Sequence, residues 1–273
     1  MVALLDAAEL RGRLVDEGPY AALDVVTTTG STNTDLAAAA AGGAADRTAL
    51  FAEEQRAGRG RLNRTWTSPR GRGLHVSVVL RPGVPPEAVS WLPLLAGIAL
   101  AGTVREMYGV PAALKWPNDL LLGDGQEWRK AAGILAEAVP TPDGLAVVLG
   151  IGVNVHHGPE DLPRGAGGLP ATSLADQGVE VDRQEFAVRL LTELAAVDDR
   201  WRAHGGDVLT SGLLDRYQRF CGTLGQRVRV QLGERELLGT ATGVDAGGRL
   251  VVRGADGADT PVSAGDVVHL RPR

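Results

Sequence analysis

Residues Lys130 to Val155 read KAAGILAEAVPTPDGLAVVLGIGVNV, and this stretch decides the fold class. It contains two apolar runs, Lys130 to Val139 and Leu145 to Val155, separated by a turn over Pro140 to Gly144. Apolar runs of this length that are bounded by proline and glycine predict β-strands. Because the turn between them is short, the two strands are expected to pair in the antiparallel direction.

Further strands and helices flank this hairpin along the chain. Strands are predicted at Asp24 to Thr29, His75 to Leu80 and Leu114 to Leu122, the last as a bulged or edge segment because of Pro117. Helices are predicted over Glu87 to Tyr108, with a bend at Pro93, and over Asp182 to His204 and Asp207 to Phe220. This order of elements predicts an α+β domain with a mainly antiparallel sheet.

The character of the sequence changes after Gly222. Short strands then alternate with glycine turns, at Arg227 to Leu232, Glu236 to Val244, Arg249 to Arg253 and Val262 to Leu270. About 50 residues of this kind are typical of a small closed β-barrel. We therefore predict a domain boundary near Cys221, with a main domain over residues 1–221 and a small domain over residues 222–273.

The composition of the 273 residues is that of a globular protein, with 44% hydrophobic and 22% charged residues. This balance excludes disordered, collagenous and coiled-coil proteins. The single cysteine, Cys221, excludes an intrachain disulfide and a multi-cysteine metal site. The start of the chain lacks a signal-peptide pattern, and the longest uncharged stretch, Ala88 to Val104, is short for a membrane span. We expect a cytoplasmic protein without a membrane partner.

The net charge of −5 argues against a general nucleic-acid-binding protein, so no nucleic-acid partner is expected. Among the 28 basic residues only Lys115 and Lys130 are lysines. Asparagine is also scarce, occurring as Asn33, Asn63, Asn118 and Asn154. A lysine kept in an arginine-rich chain indicates a position that needs a compact ammonium group rather than a planar guanidinium. These rare residues therefore mark candidate site positions.

The segment Gly30-Ser31-Thr32-Asn33 lies where a strand ends and a helix begins. Thr32 is the predicted N-cap, and Asp35 completes a capping box. The free N–H groups of a helix start bind anions or polar ligands, although a plain helix cap explains the same residues.

Arg56 to Arg72, the arginine loop, contains six arginines in 17 residues and no acidic residue. Gly58 and Gly60 allow backbone N–H groups to approach a ligand closely, and guanidinium groups bind phosphate. The loop either folds over a nucleotide, binds nucleic acid nonspecifically, or is a solvated surface loop. Its length predicts mobility in the absence of a ligand.

Several common site motifs are missing from the sequence. It has no Gly-Lys-Ser/Thr of a P-loop, no third Rossmann glycine after Gly150 and Gly152, no kinase signature and no Gly-x-Ser-x-Gly elbow. The adjacent His156 and His157 would point to opposite faces of a strand, which disfavours a shared metal ion. No metal-binding residue is therefore assigned.

An ordered set of five segments remains. The segments are Gly30 to Asn33, Glu53 to Arg61, Lys115 to Asp119, Lys130 to Leu135 and Gly150 to Asn154. Together they resemble the biotin–protein ligases, and the resemblance runs from about Leu23 through the whole chain. The Gly-Arg-Gly-Arg loop followed by Lys-Trp-Pro-Asn-Asp is highly specific in this order, whereas either motif alone would be weak.

The resemblance implies a two-step reaction. The biotin carboxylate attacks the α-phosphate of ATP, which gives biotinyl-5′-AMP and pyrophosphate, and a lysine of a biotin carboxyl carrier protein then displaces AMP. ATP with Mg²⁺ is the implied substrate complex, biotin is the second substrate, and no tightly bound prosthetic group is expected. The implied fold is a class II synthetase-like domain with a C-terminal SH3-like barrel, and we expect a monomer or weak homodimer.

The resemblance also implies roles for residues of this chain. Biotin contacts are implied for Ser31, Thr32, Asn33, Gln55, Gly58, Arg59, Lys130, Gly133 and Gly150. Nucleotide contacts are implied for Arg59, Gly60, Arg61, Trp66, Lys115, Asn118 and Asn154. Catalytic roles are implied for Lys130 at the carboxylate, for Arg61 in retaining the adenylate, and for Asp119 in orienting magnesium or the incoming amine. Lys115 has an alternative explanation as half of a structural ion pair.

The sequence departs from the family pattern at two points. Asn63 stands where the loop often has glycine, and little loss is expected because asparagine tolerates positive φ. About 23 residues precede the Val25 strand, too few for the DNA-binding domain of bifunctional members, so a monofunctional enzyme is expected.

Two alternative functions remain open. A lipoate–protein ligase with the same adenylation chemistry is the main alternative. A nucleic-acid-binding regulator that uses the arginine loop is the other.

Overall fold

A seven-stranded sheet forms the centre of the computed structural model, which describes residues 3–123, 127–162, 169–232, 235–263 and 265–270. Its strands are β1 (Ala22–Val26), β2 (Thr48–Ala52), β3 (Gly73–Leu80), β4 (Ala112–Lys115), β5 (Asp119–Leu122), β6 (Arg129–Thr141) and β7 (Gly144–Asn154). They are ordered β1-β2-β3-β7-β6-β5-β4, and all neighbours are antiparallel except β1 and β2. The prediction of an α+β fold with a mainly antiparallel sheet is confirmed.

The hairpin predicted from residues 130–155 is formed by β6 and β7. The two strands pair from Ala132 opposite Val153 to the turn. Their register places Gly133 opposite Gly152 and Leu135 opposite Gly150. Because residues two apart on a strand face the same side, the three glycines leave one strip of the sheet without side chains. This strip has room for a ligand or for a side chain from another element.

Helices cover both faces of the sheet. On one face lies α2 (Thr32–Ala41), which packs on β3, β6 and β7 through a small cluster that includes Leu36, Ala40, Val79 and Val148. The opposite face and the main core are covered by α3 (Leu92–Tyr108), α4 (Arg183–Ala203) and α5 (Leu213–Phe220). A short helix, α1 (Ala7–Arg11), precedes β1 and contacts it.

The segment Pro86–Tyr108 is the one helix among the described residues that is long and apolar enough to cross a membrane. Of its most apolar window, 72% is buried inside the protein, as expected of a core helix. The bend predicted at Pro93 is a change from a 3₁₀ turn, Pro86–Trp91, to α3. Proline is tolerated in this first turn of α3 because its missing N–H would have no helical partner there.

The predictions for residues 114–122 and for the start of the last helix are wrong. Leu114 to Leu122 forms the two strands β4 and β5, which meet at the cis Trp116–Pro117 bond, and not one bulged strand. Proline has no N–H to donate to a strand ladder, and the chain reverses at this point. The last helix begins at Leu213 and not at Asp207, directly after Gly212, whose φ is +70°.

The C-terminal residues form a second sheet of five described strands. These are β8 (Arg227–Leu232), β9 (Arg235–Val244), β10 (Leu250–Arg253), β11 (Asp259–Val262) and β12 (Asp266–His269), ordered β11-β10-β9-β8-β12. The small all-β unit predicted after Gly222 is confirmed, although its last predicted strand is divided between β11 and β12. The domain boundary near Cys221 stays a prediction.

Two buried tryptophans join the second sheet to the rest of the protein. Nε1 of Trp91 donates to the carbonyl oxygen of Ala246 (2.7 Å), and Nε1 of Trp116 donates to that of Gly248 (3.0 Å). Both carbonyls belong to the turn between β9 and β10. The turn is therefore held against the start of α3 and against the β4–β5 hairpin.

Candidate active site

A cleft lies over the glycine strip of β6 and β7. Its walls are the start of α2, the arginine loop, the β4–β5 turn, Val267 on β12 and Gly265 just before that strand. All residues with an implied role line it except Gly58: Ser31, Thr32, Asn33, Gln55, Arg59, Gly60, Arg61, Trp66, Lys115, Asn118, Asp119, Lys130, Gly133, Gly150 and Asn154. The cleft follows β7 from Gly150 to Asn154, a rise of about 13 Å at strand spacing.

Gly150 on β7 lies directly against Asn33 at the start of α2. A Cβ atom at this position would lie 2.9 Å from Cγ of Asn33 and would overlap its Oδ1. The Asn33 amide is fixed there, because Ser77 Oγ donates to its Oδ1 (2.6 Å). Its Nδ2 donates to Oε2 of Glu137 (2.8 Å) and to the carbonyl of Leu135 (3.3 Å). Only glycine at position 150 allows this packing.

The start of α2 places neutral polar groups at this end of the cleft. Ser31 has extended backbone and is the N-cap residue, so the capping box predicted from Thr32 and Asp35 is wrong. Thr32 is already helical, and its N–H donates to Oε1 of Gln55 (2.9 Å). Its hydroxyl contacts that of Ser77 (2.7 Å). The Thr32 side chain is therefore turned towards the sheet and does not cap the helix.

The arginine loop contains a small hairpin with two antiparallel arms. The Trp66 N–H donates to the Gly58 carbonyl (2.8 Å), and the Gly60 N–H donates to the Arg64 carbonyl (2.7 Å). Gly58 lies beside the cleft rather than in its lining. A side chain at Gly58 would collide with the carbonyl oxygen of Trp66, so glycine is needed for the close approach of the two arms.

The tip of this hairpin has left-handed backbone. Asn63 has φ +57°, which agrees with the expectation that asparagine replaces glycine at a positive-φ position. Its neighbour Leu62 has φ +56° and is 64% exposed. Leucine rarely adopts this conformation, so the tip is strained at this residue.

The indole of Trp66 lies over the middle of the glycine strip. A Cβ atom at Gly152 would lie 2.8 Å from its Cε2, and one at Gly133 would lie 3.3 Å from its Cζ3. The ammonium of Lys130 is 5.9 Å from the ring centroid, within the range of a cation–π interaction. The two glycines therefore make room for an aromatic ring that borders the lysine.

Lys130 on β6 and Asp119 on β5 form an ion pair within the cleft, with 2.7 Å between Nζ and Oδ1. Their side chains are 26% and 14% exposed. Water therefore screens this pair less than a surface pair. A carboxylate or phosphate that enters the cleft would compete with Asp119 for the ammonium group.

Asn118 and Asn154, which lie in two of the five segments quoted above, are both held by backbone carbonyls. Nδ2 of Asn118 donates to Ile134 (3.0 Å), and Nδ2 of the buried Asn154 donates to Thr172 (3.0 Å). Oδ1 of Asn118 accepts from Nη1 of Arg61 (3.1 Å). This last bond ties the tip of the arginine loop to the β4–β5 turn across the mouth of the cleft.

Lys115 is buried where the cleft meets the second sheet. Burial and, next, the charge of Lys115 lower the pKa of His269 to about 4, so His269 is neutral near pH 7. Oγ1 of Thr223 accepts from the Trp116 N–H (3.0 Å) and lies 3.1 Å from Nε2 of His269. The hydroxyl of Thr223 can therefore donate its proton to Nε2 of His269. The alternative role of Lys115 as half of an ion pair stays a prediction.

Thr223→Val is expected to lower the free energy of unfolding by about 1–3 kcal/mol, because it leaves the buried Trp116 N–H without an acceptor. Denaturant unfolding of the two proteins measures the loss. Thr223→Ser is the matched control, since it keeps the hydroxyl and removes a methyl group. A valine variant as stable as the serine variant would show that this bond does not stabilise the protein.

The described residues offer little for a resident metal ion. Among residues 3–123, 127–162, 169–232, 235–263 and 265–270, no group of three or more His, Cys, Asp or Glu side chains is placed to bind one. Within that part of the chain, Asp119 is the carboxylate that lines the cleft, and it is paired with Lys130. His157 is buried, and burial lowers its pKa to about 4.

Sequence reasoning misses two residues of this region. Gly152 lies within a quoted segment, but its contact with Trp66 follows from the strand register and the loop together. Glu137 lies two residues beyond another quoted segment and contacts both Asn33 and Arg59. Glutamate is common in this chain, so rarity gives no indication of its importance.

Comparison with known proteins supplies the family. The family model described as "Biotin/lipoate A/B protein ligase family" matches residues 26–154, and "Biotin protein ligase C terminal domain" matches residues 223–270. The chain is 44% identical over 275 residues to "Biotin--[acetyl-CoA-carboxylase] ligase" of Mycobacterium tuberculosis, with 98% of this chain and 96% of that protein covered. The chain belongs to the biotin protein ligase family.

Other biotin protein ligases are also similar to the chain. The "Bifunctional ligase/repressor BirA" of Escherichia coli is 32% identical over 268 residues, which cover 97% of this chain and 78% of that protein. The structure of "Biotin protein ligase from Aquifex aeolicus in complex with biotin and ATP" matches with a TM-score of 0.76 and 26% identity. The match covers 93% of this chain and 100% of that one. The expected biotin protein ligase fold is confirmed.

Proposed function

We propose that this chain is an ATP-dependent biotin–protein ligase, which forms biotinyl-5′-AMP and transfers biotin to a lysine of a carrier protein. The observation that carries the proposal is the polarity of the cleft. Ser31, Thr32 and Gln55 line its neutral end beside Gly150, and Arg61 and Lys130 bring positive charge further along. Biotin has the same polarity, with a neutral ureido ring at one end and a carboxylate at the other.

The first half-reaction joins two anions. A carboxylate oxygen of biotin attacks the α-phosphorus of ATP, the P–O bond to the β-phosphate breaks, and pyrophosphate leaves with its electrons. Lys130 and Arg61 would offset the repulsion between carboxylate and phosphate. To do so, the Lys130 ammonium would leave its ion pair with Asp119 and pair with the ligand. A donor placed in advance at such a site typically contributes about 3–4 kcal/mol to lowering the barrier.

In the second half-reaction, a lysine amine of the carrier attacks the carboxyl carbon of the mixed anhydride, and AMP leaves. We assign Asp119 to orient this amine, because its carboxylate reaches the cleft beside Lys130. Magnesium would arrive with ATP and neutralise phosphate charge. Asp119 is the one carboxylate among the described residues that line the cleft, so phosphate oxygens and water would supply most of the magnesium ligands.

The resemblance also suggests what the two domains do and which protein receives the biotin. The main domain over residues 1–221 would hold biotin and ATP, and the domain over residues 222–273 would close the nucleotide side through Gly265 and Val267. The carrier would be a biotin carboxyl carrier protein or domain of an acyl-CoA carboxylase, in keeping with the name of the M. tuberculosis relative. We place the enzyme in the cytoplasm as a monomer or weak homodimer.

Exchange of radiolabelled pyrophosphate into ATP tests this function. We expect exchange that requires both biotin and Mg²⁺ and that lipoate does not support. Exchange with lipoate but not with biotin would assign a lipoate–protein ligase. Salt-sensitive binding of DNA or RNA, without exchange from either acid, would instead assign a nucleic-acid-binding regulator.

A further inference from the structure

We propose that Glu137 is a positioning residue that holds the arginine loop against the floor of the cleft and fixes the orientation of the Asn33 amide. Glu137 lies on β6 and shares a strand face with Gly133 and Leu135, which both line the cleft. The kinetic part of this inference rests on the proposed ligase function. The structural part depends only on the contacts of Glu137.

The carboxylate of Glu137 joins two elements through its two oxygens. Oε1 forms an ion pair with Nη2 of Arg59, which lies between the two glycines of the loop hairpin. Oε2 accepts from Nδ2 of Asn33 at 2.8 Å. Asn33 is buried at the start of α2, whereas the Arg59 side chain is 49% exposed. A single side chain therefore connects the arginine loop to a buried group of the cleft floor.

The charge of Glu137 also determines the direction of the hydrogen bonds in that floor. An ionised carboxylate only accepts, so Asn33 must present Nδ2 to Glu137 and Oδ1 to Ser77. Ser77 has one hydroxyl proton and gives it to Oδ1. The Thr32 hydroxyl lies 2.7 Å from that of Ser77 and donates its own proton to Oε1 of Gln55 (3.1 Å). The acidic group thus fixes the direction of the bond between Ser77 and Asn33 at the proposed biotin end.

Loss of the Glu137 charge should have two linked effects. Arg59 loses the carboxylate that holds it to the sheet, so the loop opens more often. The Asn33 amide also loses the partner that fixes its orientation, so the floor presents a mixture of hydrogen-bonding patterns to the ureido ring. The nucleotide side is affected less, because its implied contacts Lys115 and Asn118 lie on the β4–β5 hairpin, outside the arginine loop. The expected signature is a larger loss of biotin binding than of ATP binding.

Limited proteolysis without any ligand tests the loop contact. Chymotrypsin is suitable because the hairpin contains Leu62 and Trp66, and mass spectrometry identifies cuts at these residues. We expect Glu137→Gln to raise the cleavage rate there about fivefold, as expected for a partly exposed ion pair. Arg59→Gln should do the same, and the double variant should be cleaved no faster than either single variant. Cleavage of Glu137→Gln at the wild-type rate would overturn the proposal.

Steady-state pyrophosphate exchange tests the second effect. We expect Glu137→Gln to raise the KM for biotin about tenfold, with a clearly smaller rise in the KM for ATP and an unchanged melting temperature. Glu106→Gln is the matched control, since it breaks an exposed ion pair with Arg189 far from the cleft and should change neither KM. An equal rise in both KM values would show a merely structural role. Proteolysis needs no substrate, so it tests the Arg59 contact even if wild-type protein shows no exchange.

Discussion

Lys130→Met lowers the rate of biotinyl-adenylate formation by about 10²- to 10³-fold, the loss expected when one preorganised donor is removed from a developing charge. Lys130 is the lysine whose ammonium reaches the cleft from β6 and pairs there with Asp119. Methionine keeps the length of the side chain and its packing beside Trp66 but removes the charge. Single-turnover formation of adenylate measures the effect.

The matched control for this variant is Arg129→Met. Arg129 precedes Lys130 on β6, and its exposed side chain pairs with Glu127. This variant should form adenylate at the wild-type rate. A Lys130→Met protein that keeps its normal circular dichroism spectrum and more than a third of the wild-type rate would contradict the assigned role.

Gly150→Ala weakens biotin binding by about 10- to 100-fold, because the new methyl group must displace the Asn33 amide from the floor of the cleft. The loss of a buried hydrogen-bond partner typically costs about 1–3 kcal/mol, which corresponds to an effect of this size. Overpacking should also lower the free energy of unfolding by about 1–3 kcal/mol. Isothermal titration with biotin and denaturant unfolding measure the two effects separately.

Gly12→Ala controls for the loss of a glycine, since a Cβ atom there would meet no other atom within 4 Å. It should bind biotin as the wild type does. The double variant Asn33→Ala/Gly150→Ala removes the clash, so Gly150→Ala should cost less stability in the Asn33→Ala background than in the wild type, and biotin affinity should stay low. Recovery of affinity in the double variant would show that Asn33 has no part in binding.

Local sequence patterns are sufficient to predict the β6–β7 hairpin and the helices α3 and α4. Each is a long apolar or amphipathic segment with clear turn residues at its ends, so its identity depends little on the rest of the chain. The β4–β5 hairpin is different, because its strands have four residues each and the reversal depends on Pro117. An apolar run around a proline is equally compatible with a bulged strand, and the sequence pattern cannot separate the two.

The cleft was predictable wherever a rare residue or a specific motif marked it. Lys130, Asn118 and Asn154 stand out in a chain poor in lysine and asparagine, and all three line the cleft. Contacts between segments that are far apart in the sequence produce no such local signal. The pairing of Glu137 with Arg59 joins positions 78 residues apart in the sequence, and it requires both the strand register and the fold of the loop.

The contact between the second sheet and the β4–β5 hairpin bears on the fate of the reactive anhydride. Gly265 and Val267 form part of the wall of the cleft on its proposed nucleotide side. Trp116 is anchored to the C-terminal residues by its backbone N–H, which donates to Thr223, and by its indole, which donates to Gly248. Without that wall, bulk water would reach the acyl-phosphate carbon and hydrolyse it before a carrier arrived. We infer that the C-terminal unit limits the access of water to the anhydride, which would favour transfer of biotin over hydrolysis.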